Sequence, residues 1–309
     1  MIWPFDRGGI VLALYVATLA LHAAFIGYVV AGTGYALVQS VRRSDDALAH
    51  TVRDRLPFMF GCGITAGVAP LLFVQLLHQR RFYTANLLLG PRWLAVVPAL
   101  IVGFYALYVA KQSVRWRGVM LAGALALFSF VAWSWSELHE LMKADPIWRD
   151  FYAAGHRFYI AEAIAPRFVV LFGAMTTSFA TIAAWSTAER KRLAAIALLS
   201  RLISIGGAIW LWRAGFDVSG PARAWLWMLA AAVVVEIAGW LLVLRAKTDR
   251  ALAIATAAGT SALVAAVVVR EAPRVALIEP HTPATGAVVF AVALVVGIAA
   301  IAWVVRTIR

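Results

Sequence analysis

Residues 9–41 read GIVLALYVATLALHAAFIGYVVAGTGYALVQSV and contain no Lys, Arg, Asp or Glu. The hydrocarbon core of a bilayer is about 30 Å thick, and about 20 apolar residues in a helix are enough to cross it. A run of this length and character predicts a transmembrane helix. Because no small-residue cleavage site and polar sequence follow it, we interpret it as a retained helix rather than a removed signal peptide.

Comparable apolar segments recur along all 309 residues, of which 63% are apolar and 14% charged. Soluble globular proteins average about 45–50% apolar and about 25% charged residues. The sequence therefore predicts an all-α, polytopic membrane helical bundle that forms a single transmembrane domain over residues 1–309. The nine predicted helices cover about 9–41, 57–79, 93–111, 118–140, 164–187, 193–213, 223–245, 251–270 and 284–306.

The density of basic residues in short loops predicts the orientation. Arg and Lys are densest in the loops after predicted helices one, three, five and seven and at the C-terminus. This places the N-terminus outside and the C-terminus in the cytoplasm, in a multi-pass protein of the cell inner membrane. The net charge of +13 then indicates loops that face anionic membrane lipids rather than a nucleic-acid partner.

The connections between the helices give three further expectations. The longest outer connection, 141–163, mixes aromatic and charged residues, so we expect an ordered cap or an interfacial helix there. The outer segment 271–283 contains Pro273 and two further prolines, and we expect a turn-rich loop. The single cysteine, Cys62, excludes an internal disulfide, a C-x-x-C-H haem attachment and a thiolate metal cluster.

Two oppositely charged residues interrupt the apolar segments of helices six and seven. Arg201 lies in ALLSRLISIGG and Glu236 in AAVVVEIAGW. Each is about nine residues from the inner end of its helix, and the two helices are consecutive and antiparallel, so both charges lie at the same depth. An ion pair is the economical arrangement, because an unpaired charge in hydrocarbon is costly. The pair can be structural, or it can have a proton or haem-propionate role.

A single histidine, His22, lies inside the first predicted helix, in TLALHAAFIGYVV. A buried neutral histidine can form a hydrogen bond to a neighbouring helix. It can also offer a ring nitrogen to haem iron. The residues themselves leave both interpretations open.

The histidines of the outer side lie near Glu137 and Glu140 and can border a metal, a haem or a docking surface. Their spacing matches no H-E-x-x-H zinc signature, and solvated loop histidines account for most of the pattern. The chain also has no Walker A loop, Rossmann fingerprint or G-x-S-x-G elbow. These outer histidines are His78, His139, His156 and His281.

Two stretches of the first helices carry a family resemblance: LALYVATLALHAAFIGYVVAG (12–32) and FMFGCGITAGVAPLLFVQLLHQRRFYT (58–84). With the G-V-A run at 67–69, they resemble the opening of cytochrome bd quinol oxidase subunit I. LALFSFVAWSW (125–135) and DPIWRDF (145–151) are similar to that family's fourth helix and following loop. VVVREAPRVALI (267–278) resembles its G-R-Q-P stretch. The family's core also has nine helices with the N-terminus outside.

The resemblance implies roles for two residues. His22 matches the histidine of the family's first helix that binds haem iron, so it is the candidate iron ligand of a haem b. Met228, in ARAWLWMLA, matches the position of a haem-ligating methionine. Ordinary packing is the alternative for Met228. A quinone and a c-type cytochrome partner are likewise implied by the resemblance.

Three features of the family are missing from the chain. Val170 stands where its fifth-helix histidine would lie, in PRFVVLFGAM. The third predicted helix, 93–111, has no acidic residue in place of the family's paired glutamates. The quinol-binding loop is reduced to RAGFDVSGPAR (213–223). Complete oxygen-reductase activity is therefore not expected.

These observations favour a membrane subunit of a respiratory electron-transfer complex that works with other respiratory subunits. It would hold haem b and exchange electrons between quinone and an outer-face partner. The alternative is a haem-free scaffold or assembly subunit of such a complex. A transporter is a third interpretation, weakened because we find no inverted repeat and no pair of correspondingly broken helices.

Overall fold

The computed structural model describes residues 7–44, 46–155, 158–218, 220, 222–246 and 248–278. Within these ranges the chain folds into α-helices joined by short turns. One 3₁₀ turn, Asp145–Ile147, precedes α7. The helices are α1 (Arg7–Val41), α2 (Ala47–Leu77), α3 (Gln79–Leu89), α4 (Pro91–Leu94), α5 (Val96–Gln112), α6 (Arg117–Leu141), α7 (Trp148–Ala153), α8 (Ile164–Ala184), α9 (Arg190–Arg213), α10 (Ala222–Ala246) and α11 (Asp249–Val275).

Eight helical segments in the described ranges are long and apolar enough to cross a membrane. They are α1, α2, α4 with α5, α6, α8, α9, α10 and α11. Each corresponds to one of the first eight predicted helices, so the prediction of an all-α, multi-pass membrane bundle is confirmed. The ninth predicted helix, 284–306, lies outside the described residues.

Helix α2 begins at Ala47, well before the predicted start at 57. Asp46 caps it, because its carboxylate accepts hydrogen bonds from the backbone N–H groups of Leu48 and Ala49. Burial opposes ionisation of Asp46, but a hydrogen bond from Tyr35, the two backbone bonds and the charge of Arg192 hold its pKa below the usual value. The charged residues that follow Asp46 therefore lie in the first turns of the helix rather than in a loop.

The predicted turn-rich loop at 271–283 is wrong at its start. Helix α11 continues through Pro273 and ends at Val275. Glu271 and Arg274 lie one turn apart on this helix, and they form a buried ion pair across its last turn. Paired charges can remain in a buried helix, which is why a polar stretch at a helix end is not evidence of a loop.

The connections contain more helix than the sequence indicates. Helix α3 (Gln79–Leu89) is a short amphipathic helix, and it was not predicted. Its Phe82, Ala85 and Leu89 are buried at 0–2% exposure. The expected ordered segment within 141–163 contains the 3₁₀ turn and α7.

Helix α1 is central to the described bundle, with α2, α6, α8 and α11 as its neighbours. The closest remaining helix pairs are α5 with α6, α8 with α9, and α10 with α11. Glycines permit the close crossing of α8 and α9: a Cβ at Gly207 would lie 2.9 Å from the backbone nitrogen of Val170. The two ends of the bundle are named below after a buried residue at each, the His139 end and the Asp46 end.

Candidate functional site

The imidazole of His22 lies between α1 and α2 and is half-buried. Its Nδ1 lies 2.8 Å from the carbonyl oxygen of Gly63. Since a carbonyl oxygen only accepts, Nδ1 must donate the proton. In the neutral ring Nε2 then carries the lone pair, and among the described residues it has no hydrogen-bond partner. A histidine that binds a metal through one nitrogen commonly donates from the other to a backbone carbonyl.

Helix α2 presents glycine where the His22 ring rests. A Cβ at Gly67 would lie 2.7 Å from Nδ1 and 2.8 Å from Cε1 of His22. One turn earlier, a Cβ at Gly63 would lie 2.7 Å from Ile26. The G-C-G-I-T-A-G run therefore provides the space that the imidazole occupies.

Met228, the second predicted haem ligand, lies on α10, and its side chain is 53% exposed. Helix α10 packs against α9 and α11, and it is not among the principal neighbours of α1, which are α2, α6, α8 and α11. The structure therefore does not place Met228 in the His22 site. Its binding of haem iron stays a prediction, and at this position it would require a partner at the bundle surface.

Arg201 and Glu236 lie next to each other between α9 and α10. Arg201 Nη2 donates to Glu236 Oε2 at 2.5 Å, and the side chains are 11% and 1% exposed. Glu236 packs closely against α11, because a Cβ at Gly259 would lie 2.9 Å from its Oε1. The two charges thus neutralise each other between three helices. Whether the pair is structural or functional stays open.

A larger group of buried charges lies at the His139 end. Its first part is on α11: Glu271 accepts from Arg274 and, at 2.6 Å, from Arg270. Arg274 also donates to the Tyr15 hydroxyl at 3.0 Å and contacts the Met142 sulfur at 3.5 Å. Arg274 therefore links the last described helix to α1 and to the end of α6.

The second part surrounds Glu140 on α6. Arg167 Nη2 lies 2.7 Å from Glu140 Oε1, and Lys143 Nζ lies 2.7 Å from Oε2. Arg167 is on α8, so this carboxylate joins two helices. Burial lowers the pKa of Lys143, while the nearby Glu140 carboxylate favours the charged ammonium.

The third part is a separate ion pair between Arg92 and Glu137. Glu137 is fully buried and also accepts from the Trp133 indole N–H at 3.0 Å. The guanidinium of Arg92 lies over the Phe158 ring at 4.4 Å. This pair connects the start of α4 to α6.

His139 directly precedes Glu140 on α6 and is only 2% exposed. Neither ring nitrogen has a hydrogen-bond partner among the described residues. The charges of Arg167, Arg270 and Arg274, with that of Lys143, all act on its ring. Burial of an imidazole beside several cations without a partner is costly, so this residue requires an explanation.

His78 is also buried, at 3% exposure, rather than solvated. Its Nδ1 lies 3.3 Å from the carbonyl oxygen of Leu277, beyond the end of α11. Burial, together with the positive charge of Arg274, lowers the pKa of His78 to about 4. His78 is therefore neutral at physiological pH. The expectation of solvated outer histidines is wrong for His78 and His139, and His156 and His281 lie outside the described residues.

Within the described ranges no group of three or more His, Cys, Asp and Glu side chains could hold a metal ion. Comparison with protein-family models and with curated proteins finds no match to this chain. The family resemblance of the sequence therefore stays a hypothesis.

Sequence reasoning singled out His22, Arg201 and Glu236 but missed the network at the His139 end. This network is largely buried within or beside the spanning helices. The sequence does contain a signal of this network: charges of both signs occur near helix ends on one side of the membrane. Its members are Arg92, Glu137, Glu140, Arg167, Glu271 and Arg274.

Proposed function

We propose that this protein is a membrane subunit of a respiratory electron-transfer complex that binds haem b through His22. In this proposal it exchanges electrons between the quinone pool and a partner on the outer face, such as a c-type cytochrome. The supporting observation is the His22 geometry. Its Nδ1 donates to the Gly63 carbonyl at 2.8 Å, so Nε2 can offer a lone pair to iron.

The residues around His22 would fit a histidine that holds a haem. The Gly63 carbonyl fixes the ring tautomer, and Gly67 leaves space for the ring. A bound haem b supplies the one-electron redox chemistry. The protein's contribution is ligation, orientation of the imidazole and an apolar surrounding formed by α1 and α2.

A reduced-minus-oxidised absorbance spectrum of the protein, purified in detergent after expression with its operon partners, tests this proposal. We expect a haem b signal in the wild type and loss of at least nine-tenths of it in His22→Ala. His50→Ala is the matched control, since His50 is an exposed histidine at the Asp46 end of the bundle. Absence of haem absorbance in the wild type, or an unchanged spectrum in His22→Ala, would refute the proposal.

A haem-free scaffold or assembly subunit is the second candidate. It is favoured by the same hydrogen bond, because a link from His22 to Gly63 also joins α1 to α2 without any cofactor. In that case His22→Ala would leave assembly and activity of the complex intact. Co-purification of the partner subunits with His22→Ala, together with their quinol-linked activity, separates the two candidates.

A further inference from the structure

His139 and the six residues around it form a group that carries more positive than negative charge. Four are cationic and two are carboxylates, so the group has two positive charges in excess at neutral pH. We call it the His139 cluster. Its members are His139, Glu140, Lys143, Arg167, Arg270, Glu271 and Arg274.

The carboxylates of the cluster are already engaged. Glu271 accepts from Arg270 and Arg274. Glu140 lies 2.7 Å from Arg167 and 2.7 Å from Lys143. Within the described ranges the cluster has no further carboxylate to neutralise the remaining charge.

Several buried hydrogen-bond donors of the cluster are unused. The Nε atoms of Arg167 and Arg274 have no acceptor among the described residues, and neither ring nitrogen of His139 has a hydrogen-bond partner there. In a neutral imidazole one nitrogen donates and the other accepts. A guanidinium N–H can only donate. A buried donor without an acceptor destabilises the folded protein. An acceptor would satisfy the guanidinium donors, and a negatively charged one would also offset the charge excess.

We propose that the His139 cluster binds a small oxyanion, a carboxylate or a phosphate group, through Arg167, Arg274 and His139. Planar guanidinium groups match the geometry of such anions. Lys143 and Arg270 are 23% and 36% exposed, so they connect the buried donors to the surface. The anion is either free in the aqueous phase or the phosphodiester of an anionic lipid at the end of the bundle.

Thermal unfolding in an uncharged detergent, followed by tryptophan fluorescence, tests the free anion. Potassium phosphate or acetate is titrated while KCl keeps the ionic strength constant. We expect a saturable rise in Tm with the oxyanion and none with KCl alone. Arg167→Gln should lose the rise. Lys143→Gln, which alters a partly exposed residue, should increase the half-saturating concentration about tenfold, equivalent to 1.4 kcal/mol.

Arg213→Gln is the matched control, because Arg213 is an exposed arginine at the end of α9. It should retain the full rise in Tm. If Arg167→Gln does not fold, the rise in Tm of the wild type is compared with that of Lys143→Gln instead. A rise that is the same in wild type and Lys143→Gln would overturn the assignment.

Native mass spectrometry from nanodiscs containing phosphatidylglycerol tests the lipid source. Retention of this lipid by the wild type and by Arg213→Gln, with loss in Arg167→Gln or Lys143→Gln, would identify the phosphodiester as the ligand. No rise in Tm and no retained lipid would overturn the proposal.

The anion site is independent of the proposed haem. The variant His22→Ala should therefore keep the response to the oxyanion even when it loses the haem spectrum. Loss of the response in His22→Ala would overturn the assignment of a separate site. Absence of haem in the wild type, with the response retained, would refute the proposed function alone.

Discussion

At the scale of single residues, the position of His22 depends on two glycines of α2, which have no side chains. Gly63 supplies a carbonyl acceptor, and Gly67 supplies space beside the ring. Both glycines face α1, whereas Gly61 on the same helix would meet no other described atom within 4 Å if it carried a Cβ. The run GCGITAG thus contains glycines with different roles.

This difference gives a direct prediction for Gly67→Ala. The added Cβ would lie 2.7 Å from His22 Nδ1, so the ring or the helix must move. Overpacking of this kind costs about 1–3 kcal/mol. We expect a lower Tm in detergent and, where haem is bound, a reduced haem signal.

Gly61→Ala is the control for this prediction, since it adds the same methyl group to the same helix at an open position. It should leave Tm unchanged or slightly raised, because alanine has the higher helix propensity. Equal effects of the two substitutions would contradict the close approach of His22 to Gly67.

His22 could be found from the sequence because it is the one histidine deep in an apolar segment. Its hydrogen-bond partner, Gly63, could not be found in this way, because hydropathy does not show which face of a helix is turned towards a neighbour. The glycines at 63 and 67 are four residues apart, which places them on one face. That spacing is the only sequence signal of the ring's environment.

At the scale of elements, the Arg201–Glu236 pair holds α9 against α10 at 2.5 Å. The sequence predicts this pair, because consecutive membrane helices are antiparallel and the depth of each residue in the membrane follows from counting residues along its helix. It could not provide the contact of Glu236 with Gly259 on α11. Contacts with a third helix depend on the packing of the whole bundle.

A double-mutant cycle on this pair tests its structural contribution. Arg201→Leu or Glu236→Leu alone leaves one buried charge without a partner, which costs about 3–5 kcal/mol. The double variant removes both charges, and we expect it to recover most of the lost stability. Thermal unfolding of the four proteins in detergent measures the coupling.

Activity and assembly of the same four proteins separate the two roles of the pair. A stable double variant with normal assembly and activity would support a structural role. A stable but inactive Glu236→Gln would support a functional one. Additive effects of the two single substitutions would contradict the contact itself.

Helix boundaries were predictable only where hydropathy changes at the helix end. Helix α2 extends ahead of its apolar part because Asp46 caps it, and α11 extends beyond its apolar part because Glu271 and Arg274 pair. Helix α3 is short, and its first turn contains Arg80 and Arg81. In these places local hydrogen bonds and ion pairs decide the structure, and hydropathy does not report them.

At the scale of the whole molecule, the His139 cluster shows the limit of sequence reasoning most clearly. Its parts come from α6, α8 and α11, and Tyr15 of α1 completes it. Each residue alone resembles an ordinary polar residue near a loop. Only the packing of α1 against α6, α8 and α11 brings them together.

The orientation in the membrane is a prediction that cysteine labelling can test. In a Cys62→Ser background, Ala154→Cys and Ser186→Cys place one thiol at each end of the bundle, both at exposed positions. With the N-terminus outside, we expect a membrane-impermeant maleimide to label Ala154→Cys in spheroplasts. Ser186→Cys should react only after permeabilisation.

Permeabilised cells provide the control, because both thiols should then react. The opposite labelling pattern would reverse the orientation and place the His139 end in the cytoplasm. The arrangement of the helices themselves would not change.

The hydrogen bond between Arg274 and Tyr15 spans 259 residues of sequence. During synthesis, α1 enters the membrane first, and α11 is the last of the described helices to be made. Until α11 arrives, Tyr15 and Met142 lack the guanidinium that they contact in the finished bundle. The final packing of the first helix therefore waits for the ribosome to reach the end of α11. A chain released early would present an incomplete set of buried contacts to the proteases that survey the membrane.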